Sequence, residues 1–356
     1  MTKSDIKKSE NGKSSNKLLW SLVSVLIAVA TVWAVISQAR AFSFDSFADY
    51  FLDASKPWLF AAVLCMLGFI VFEGMAVTTI CRAFGYRVGH GHGFIYSASD
   101  IYFSAITPSA TGGQPVCAFF MIRDGIPGSV TTLVLIINLT MYTVSILCIG
   151  LFTLITQPAV FMTFGLLSQI LIVVGFIVQG LLTLLFLMLL AKRDLLHKIC
   201  LRALNFLCKI KLLRHKEAKQ QKLETYMEEY AMYSQMLREH KGPMLKALIF
   251  NLLQRISVIS VPLCVFMASG GAAAKAARIW AIQCCTVIGS NTIPIPGAMG
   301  VSDYIMLDGF SKAVQLHNVV NFELLSRSLS FYVCVLLCGI TTLIAHLLAG
   351  KREKRK

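Results

Sequence analysis

Thr107-Pro108-Ser109-Ala110-Thr111-Gly112-Gly113-Gln114-Pro115 decides how this chain is read. Two prolines, two glycines and four hydroxyl or amide side chains crowd into nine residues. No continuous transmembrane helix tolerates that density of breakers. Yet the sequence on either side is apolar enough for a bilayer. Inside lipid, broken backbone survives only where protein buries it or where it lines a wet cavity. A second broken stretch, Thr292-Ile293-Pro294-Ile295-Pro296-Gly297-Ala298-Met299-Gly300, lies far downstream. Paired interruptions in corresponding halves of a membrane protein point to a transporter-type binding site.

The rest of the chain supplies the scaffold. Of 356 residues, 56% are hydrophobic and 14% charged, and the mean hydropathy is +0.70. Several apolar runs exceed the length that spans a bilayer, so the expected class is an all-α polytopic membrane protein. The net charge of +15 gathers in loops and tails beside those runs, as the positive-inside rule requires, and not on a nucleic-acid-binding surface. Eleven cysteines are scattered without a C-x-x-C pair and read as small apolar packers. His90-Gly91-His92 lacks a nearby Cys or carboxylate and reads as part of a basic juxtamembrane loop, so no metal is expected. There is no Walker A sequence, nucleophile elbow, H-E-x-x-H or kinase signature, and no cofactor is expected. Transport, if the chain performs it, is passive, scrambling or ion-coupled.

Six full crossings are expected, at 18–36, 58–80, 130–155, 160–191, 244–268 and 324–348. Residues 93–115 and 279–300 form two re-entrant broken-helix elements. The run 160–191 is longer than a bilayer needs and is expected to tilt or project. Residues 1–17, with five lysines, read as a disordered cytoplasmic tail, and 349–356 as a second basic tail inside. Residues 192–243 form a cytoplasmic connection. Its part 192–222 carries ten Lys or Arg, with Leu195, Leu196, Ile199 and Leu204 at helical spacing, which suits an amphipathic helix on an anionic leaflet. Leu223, Tyr226, Met227, Tyr230, Tyr233 and Leu237 make a stripe that suits docking of another protein. The order span, broken element, span occurs twice, at 58–155 and 244–348. Trp58 precedes Pro108 by fifty residues, as Met244 precedes Pro294. With opposite orientations this is an inverted repeat, whose broken elements meet near the midplane.

Re-entrant half-helices present free N–H groups and a positive dipole end. Ser109, Thr111, Gly112, Gly113 and Gln114 are candidate donors from one side, and Gly297, Gly300 and Ser302 from the other. An anion such as a lipid phosphate suits them. Tight helix packing is the competing role for the glycines. Four ionisable residues lie deep in apolar sequence: Glu73, Arg255, Asp303 and Arg327. The arginines suit phosphate oxygens, and the acids a cationic headgroup. Salt bridges that only pin helices are the competing role. Asp100 and Asn138 read as polar links within the bundle, and Lys246 and Arg123 as snorkelling residues near span ends.

Over residues 18–348 the chain resembles the transmembrane flippase-like domain of lysylphosphatidylglycerol synthetases. Thr107 to Pro115 is close to that family's T-P-S-G-T-G-G-Q-P, and Pro294 to Asp303 to its P-x-P-G-G-x-G-x-x-E. Arg327, Tyr332 and Gly339 are similar to its R-x(4)-Y followed by Gly. Ala110 and Ala298 replace usual glycines, and Asp303 replaces the usual Glu with a shorter reach. The resemblance implies a bacterial inner-membrane protein, both termini cytoplasmic, that binds or flips phosphatidylglycerol or lysyl-phosphatidylglycerol. Full-length relatives carry a soluble domain that transfers lysine from lysyl-tRNA; this sequence ends at Lys356, so the resemblance does not extend to that transfer. Two other readings stay open. One is a membrane transferase related to phosphatidylglycerol lysyltransferase, with Glu73 or Asp303 as base. The other is a subunit that docks a separate synthetase. A homo-oligomer is compatible with all three.

Overall fold

Pro57 sits in the first turn of a long apolar helix, where its missing N–H costs nothing. That helix, α2 (Lys56–Ala83), starts a bundle in which every described element is helical. The computed structural model describes residues 44–107, 112–191, 197–199, 201–202, 205, 224–226, 228, 241–293, 298, 300–311 and 319–353. They fall in two units that divide between Asp49 and Tyr50. The start of α1 (Phe44–Asp53) represents the first, and the bundle is the second. After α2 come α3 (His90–Ile106), α4 (Gly113–Arg123), α5 (Gly128–Thr156), α6 (Pro158–Thr163) and α7 (Leu166–Ala191). The second half holds α8 (Lys241–Ala268), a 3-10 turn (Ala273–Lys275), α9 (Ala276–Asn291) and α10 (Val301–Phe310). It closes with α11 (Val319–Arg327), a π turn (Ser328–Val333) and α12 (Cys334–Glu353).

Five stretches are long and apolar enough to cross a membrane: Lys56–Ala83, Gly128–Thr156, Leu166–Leu190, Gly242–Ala268 and Val319–Leu348. They match five of the six expected crossings, and the chain is an all-α polytopic membrane protein. The expected crossing at 18–36 and the tail 1–17 lie outside the described residues. So do most of the amphipathic stretch 192–222 and of the stripe from Leu223 to Leu237.

The axis of the bundle is the antiparallel pair α2 and α8. Ser55 N–H donates to Ala268 O at 2.8 Å, Gly68 lies against Ser257, and Phe72 stacks with Phe250 at 6.5 Å. Each broken stretch folds its flanking helices into a hairpin, α3 with α4 and α9 with α10. The first closes at its foot, where Asp124 Oδ2 accepts from Tyr96 OH at 2.7 Å and meets His92 Nδ1 at 2.6 Å. In the second, Gly309 faces Ile282 and Gly289 faces Ile305, which sets the antiparallel register. Each hairpin leans on the last span of the other half: α3 on α12, with Gly339 against Tyr102, and α9 on α5, with Ile288 against Gly150. Helix α5 is therefore central, its first half buried against the first hairpin and its second half against α8 and α9. Helix α7 exposes Ile170, Val173, Ile177, Leu181 and Leu184, as a lipid-facing helix must.

One expected crossing is corrected. The run 160–191 does not run on as a single tilted helix; it breaks between α6 and α7. Phe164 is extended, and Gly165 N–H donates to Asp308 Oδ2 of α10 at 2.8 Å. An acidic side chain from another element thus satisfies one of the free amides that open α7.

Candidate functional site

The site is built outward from the start of α4. Gln114 Nε2 donates to Asp100 Oδ2 at 2.6 Å, and Ser104 Oγ donates to Asp100 Oδ1 at 3.2 Å. Gly113 permits this approach, because a Cβ there would overlap Asp100 Oδ1 and Ser104 Oγ. Glu73 on α2 faces the helix that carries Asp100, with Ser97, one turn before Asp100, within reach of its carboxyl. Small residues bring those helices together, with Gly74 against Gly93. Glu73 Oε2 accepts from Gln254 Nε2 of α8 at 2.9 Å, with Ser97 Oγ at 3.4 Å. Gln254 Oε1 accepts from Arg255 Nε at 3.2 Å.

Arg255 is the centre of this arrangement. Its guanidinium lies over the Tyr142 ring at 4.3 Å and the Phe69 ring at 5.1 Å, held between α5 and α2. Such faces attract a cation without neutralising it. Among the described residues, its two terminal nitrogens have no hydrogen-bond acceptor and no ion-pair partner. Beyond it, Tyr142 OH donates to Asn291 Oδ1 at 2.9 Å, and Asn291 Nδ2 donates to Gln179 Oε1 at 3.2 Å. Asn291 is the last residue of α9, at the edge of the second broken stretch. A chain of polar side chains therefore joins one break to the other through the middle of an apolar bundle. Glu73, Asp100 and Arg255 are 7%, 8% and 7% exposed along it.

A second cluster lies at the start of α10 and in the last span. Gly300 has φ +81°, a conformation that favours glycine, and its N–H donates to Asp303 Oδ2 at 2.9 Å. Asp303 Oδ1 meets Arg327 Nε at 2.8 Å, and buried Glu323 stands one turn before Arg327 on α11. The Arg327 guanidinium lies over the Phe331 ring at 5.0 Å. The π turn begins at the very next residue, Ser328, and such turns re-aim side chains at functional sites.

The structure thus sorts the sequence candidates into two groups. Glu73, Gly113, Gln114 and Arg255 belong to the polar chain, and Gly300, Asp303 and Arg327 to the second cluster. Ser109, Thr111 and Gly297 lie outside the described residues. Gly112 N–H donates to Thr107 Oγ1 at 2.9 Å, so its amide, like that of Gly300, is engaged within the protein. Gly113 packs; side chains carry the unengaged donors. Asn138 is an interhelical link as expected, accepting from Asn251 Nδ2 at 3.1 Å. Asp100, read from sequence as a link, stands at the core of the first group. Gln254, Tyr142, Asn291, Gln179 and Glu323 were not singled out at all. An amide inside an apolar run was the available signal, at Gln179 in α7 and at Gln254 in α8. The foot of the first hairpin forms a cavity of about 200 Å³ that includes Arg87, His92 and Asp124, away from the polar chain. No cluster of His, Cys, Asp and Glu suited to a metal occurs among the described residues.

A family model described as the lysylphosphatidylglycerol synthase TM region matches residues 21–338, a range that holds both broken stretches and both clusters. No curated protein matches the chain.

Proposed function

Because the chain belongs to the lysylphosphatidylglycerol synthase transmembrane-region family, we propose that it binds an anionic or aminoacylated phospholipid and moves it between leaflets. Phosphatidylglycerol and lysyl-phosphatidylglycerol are the substrates this reading names. Arg255 is the observation that carries it. Among the described residues its terminal nitrogens have no acceptor, and its planar fork suits phosphate oxygens. Glu73, one link away, and Asp100, bonded to Gln114 at the first break, suit the ammonium groups of a lysyl headgroup. Arg327 and Asp303 offer a second pair of the same kind near the other break.

The path follows from the helix lengths. Helices α4 and α10 have 11 and 10 residues, about 16 and 15 Å, against a hydrocarbon core of about 30 Å. The other arms, α3 and α9, have 17 and 16 residues, about 26 and 24 Å, so both hairpins dip into a bilayer and return. The antiparallel α2–α8 axis, with each hairpin leaning on the other half, supports an inverted repeat that rocks about the midplane. The headgroup follows the polar chain while its acyl chains stay in lipid. In this reading the protein lies in a bacterial inner membrane with both termini cytoplasmic. Residues 192–222 rest on the anionic leaflet, and the stripe from Leu223 to Leu237 docks a separate synthetase.

Translocation in proteoliposomes tests this, with fluorescent phosphatidylglycerol, lysyl-phosphatidylglycerol and phosphatidylcholine and a membrane-impermeant quencher. The two lipids with a glycerol headgroup become accessible at least about tenfold faster than in empty liposomes, and phosphatidylcholine does not. Identical traces with and without protein for all three lipids would end the transport reading.

A further inference from the structure

The cavity at the foot of the first hairpin takes no part in the lipid path, and its walls carry a chemistry of their own. Helix α2 ends at Ala83, and the apolar span of α5 starts at Gly128. The loops 84–89 and 124–127, which join those helices to the hairpin, therefore lie where a bilayer gives way to water. Between them they enclose about 200 Å³. Its apolar wall, Val88, Tyr96 and Ile126, is buried and belongs to one hydrophobic cluster with Leu189 at the end of α7. Pockets for drug-sized ligands begin near about 300 Å³, so this space admits a polar headgroup and leaves acyl chains outside.

The polar wall is built from both loops. Three arginines stand at this foot, and the protein engages two of them. Arg82 donates from Nε and Nη2 to Val88 O at 3.0 and 2.7 Å, and the Arg123 guanidinium lies over the Phe120 ring at 4.6 Å. Arg87, exposed on the cavity wall, has no hydrogen bond or ion pair among the described residues. A guanidinium so placed at headgroup level suits the single negative charge of a phosphodiester. The other polar groups are acceptors. Tyr96 OH and His92 Nδ1 meet the same oxygen of Asp124, Oδ2, at 2.7 and 2.6 Å. That leaves Asp124 Oδ1 without a hydrogen bond among the described residues. A carboxylate only accepts, so His92 donates through Nδ1, and in the neutral ring its Nε2 accepts. Nε2 is also without a hydrogen bond among the described residues. Two donors on Oδ2 offset the charge of Asp124, and the fully buried Tyr96 fixes the carboxylate and through it the imidazole. Arg87 thus offers a fork for an anion, while Asp124 Oδ1 and His92 Nε2 offer acceptors for hydroxyl groups.

We propose that this cavity binds the phosphate ester of a small polyol, with Arg87 on the phosphate and Asp124 and His92 on the hydroxyls, as a site separate from Arg255. A lipid headgroup and a free polyol phosphate share this chemistry. The bound ester ties the loop after α2 to the loop before α5 and so braces the first hairpin at its foot. None of this rests on the transport reading.

Titration calorimetry on the full chain in detergent tests it, in an Arg255→Ala background so that the Arg255 site does not contribute. The probes are short-chain phosphatidylglycerol, short-chain phosphatidylethanol, which has the same charge and no headgroup hydroxyl, and glycerophosphoglycerol, the headgroup without acyl chains. The Arg255→Ala protein is expected to bind phosphatidylglycerol at a single site. Adding Arg87→Ala weakens that binding at least about tenfold, the worth of a charged hydrogen bond. Adding Lys246→Ala, an exposed cation at the start of α8, changes it by less than about twofold. Phosphatidylethanol binds at least about fivefold more weakly than phosphatidylglycerol. Equal affinity with and without Arg87, or no binding in the Arg255→Ala background, overturns the site. Equal affinity for the two lipids overturns the hydroxyl contacts of Asp124 and His92. Glycerophosphoglycerol that competes as well as the lipid supports the site with a free phosphate ester as its ligand, and failure to compete supports it with the lipid headgroup. Wild type and Arg255→Ala binding alike, with Arg87→Ala abolishing both, would uphold this site and remove Arg255 from lipid binding.

Discussion

Arg255→Ala lowers the affinity of the reconstituted protein for phosphatidylglycerol by roughly thirtyfold or more, about 2 kcal/mol, the usual worth of a hydrogen bond to a charged group in a buried setting. The substitution removes a guanidinium that stands between two aromatic faces and whose terminal nitrogens have no acceptor among the described residues. Arg255→Lys separates charge from shape. It keeps a cation but loses the planar fork and the stacking on Phe69 and Tyr142, so an intermediate loss is expected. Lys246→Ala is the control, an exposed cation near the start of the same helix, and its affinity stays within twofold of wild type. Binding is read on the folded fraction, with radiolabelled lipid in detergent micelles. Equal affinities for Arg255→Ala and wild type would remove Arg255 from the binding site.

Gly113→Leu acts on the scaffold. A side chain at this position runs into Asp100 Oδ1, Ser104 Oγ and the Asp100 carbonyl, and the last of these is backbone that no rotamer can clear. The 2.6 Å bond from Gln114 to Asp100 is lost as α4 moves away. Overpacking costs about 1–3 kcal/mol and the charged hydrogen bond a similar amount, so the thermal midpoint in detergent falls by roughly 5–10 °C. Gly113→Ala shows the same change on a smaller scale, because its Cβ already overlaps. Gly180→Ala is the matched control: a Cβ at Gly180 meets nothing within 4 Å, so the midpoint holds or rises slightly. A Gly113→Leu midpoint equal to wild type would mean that the hairpin does not pack as described.

Much of this architecture is legible from the breakers alone. Proline and glycine act locally, so Pro108, Gly112, Pro294 and Gly297 mark both breaks without any knowledge of the fold. Apolar runs are equally local, and four expected crossings agree with the helices to within a few residues. The break before α7 is not local. Phe164 and Gly165 sit in apolar sequence, and the carboxylate that receives the Gly165 amide is 143 positions away. The site divides in the same manner. Glu73 and Arg255 stand out because an ion in a membrane helix is costly wherever it lies. Gln254, Tyr142 and Asn291 carry no such cost, and they acquire meaning only through partners 181 and 149 positions distant. The glycines were expected to offer amides to a ligand. At Gly112 and Gly300 the chain engages those amides itself, a local closure that sequence spacing does not report.

The most direct measurement is where a phospholipid headgroup sits. Phosphatidylglycerol carrying a photoreactive group on its headgroup is reconstituted with the full chain, irradiated, and the adducts are mapped by peptide mass spectrometry. Binding along the polar chain predicts adducts on the segments of α2, α5 and α8 around Phe69, Tyr142 and Arg255, competed away by unlabelled phosphatidylglycerol. Adducts confined to the lipid-facing residues of α7 and α12, and indifferent to competitor, would contradict it.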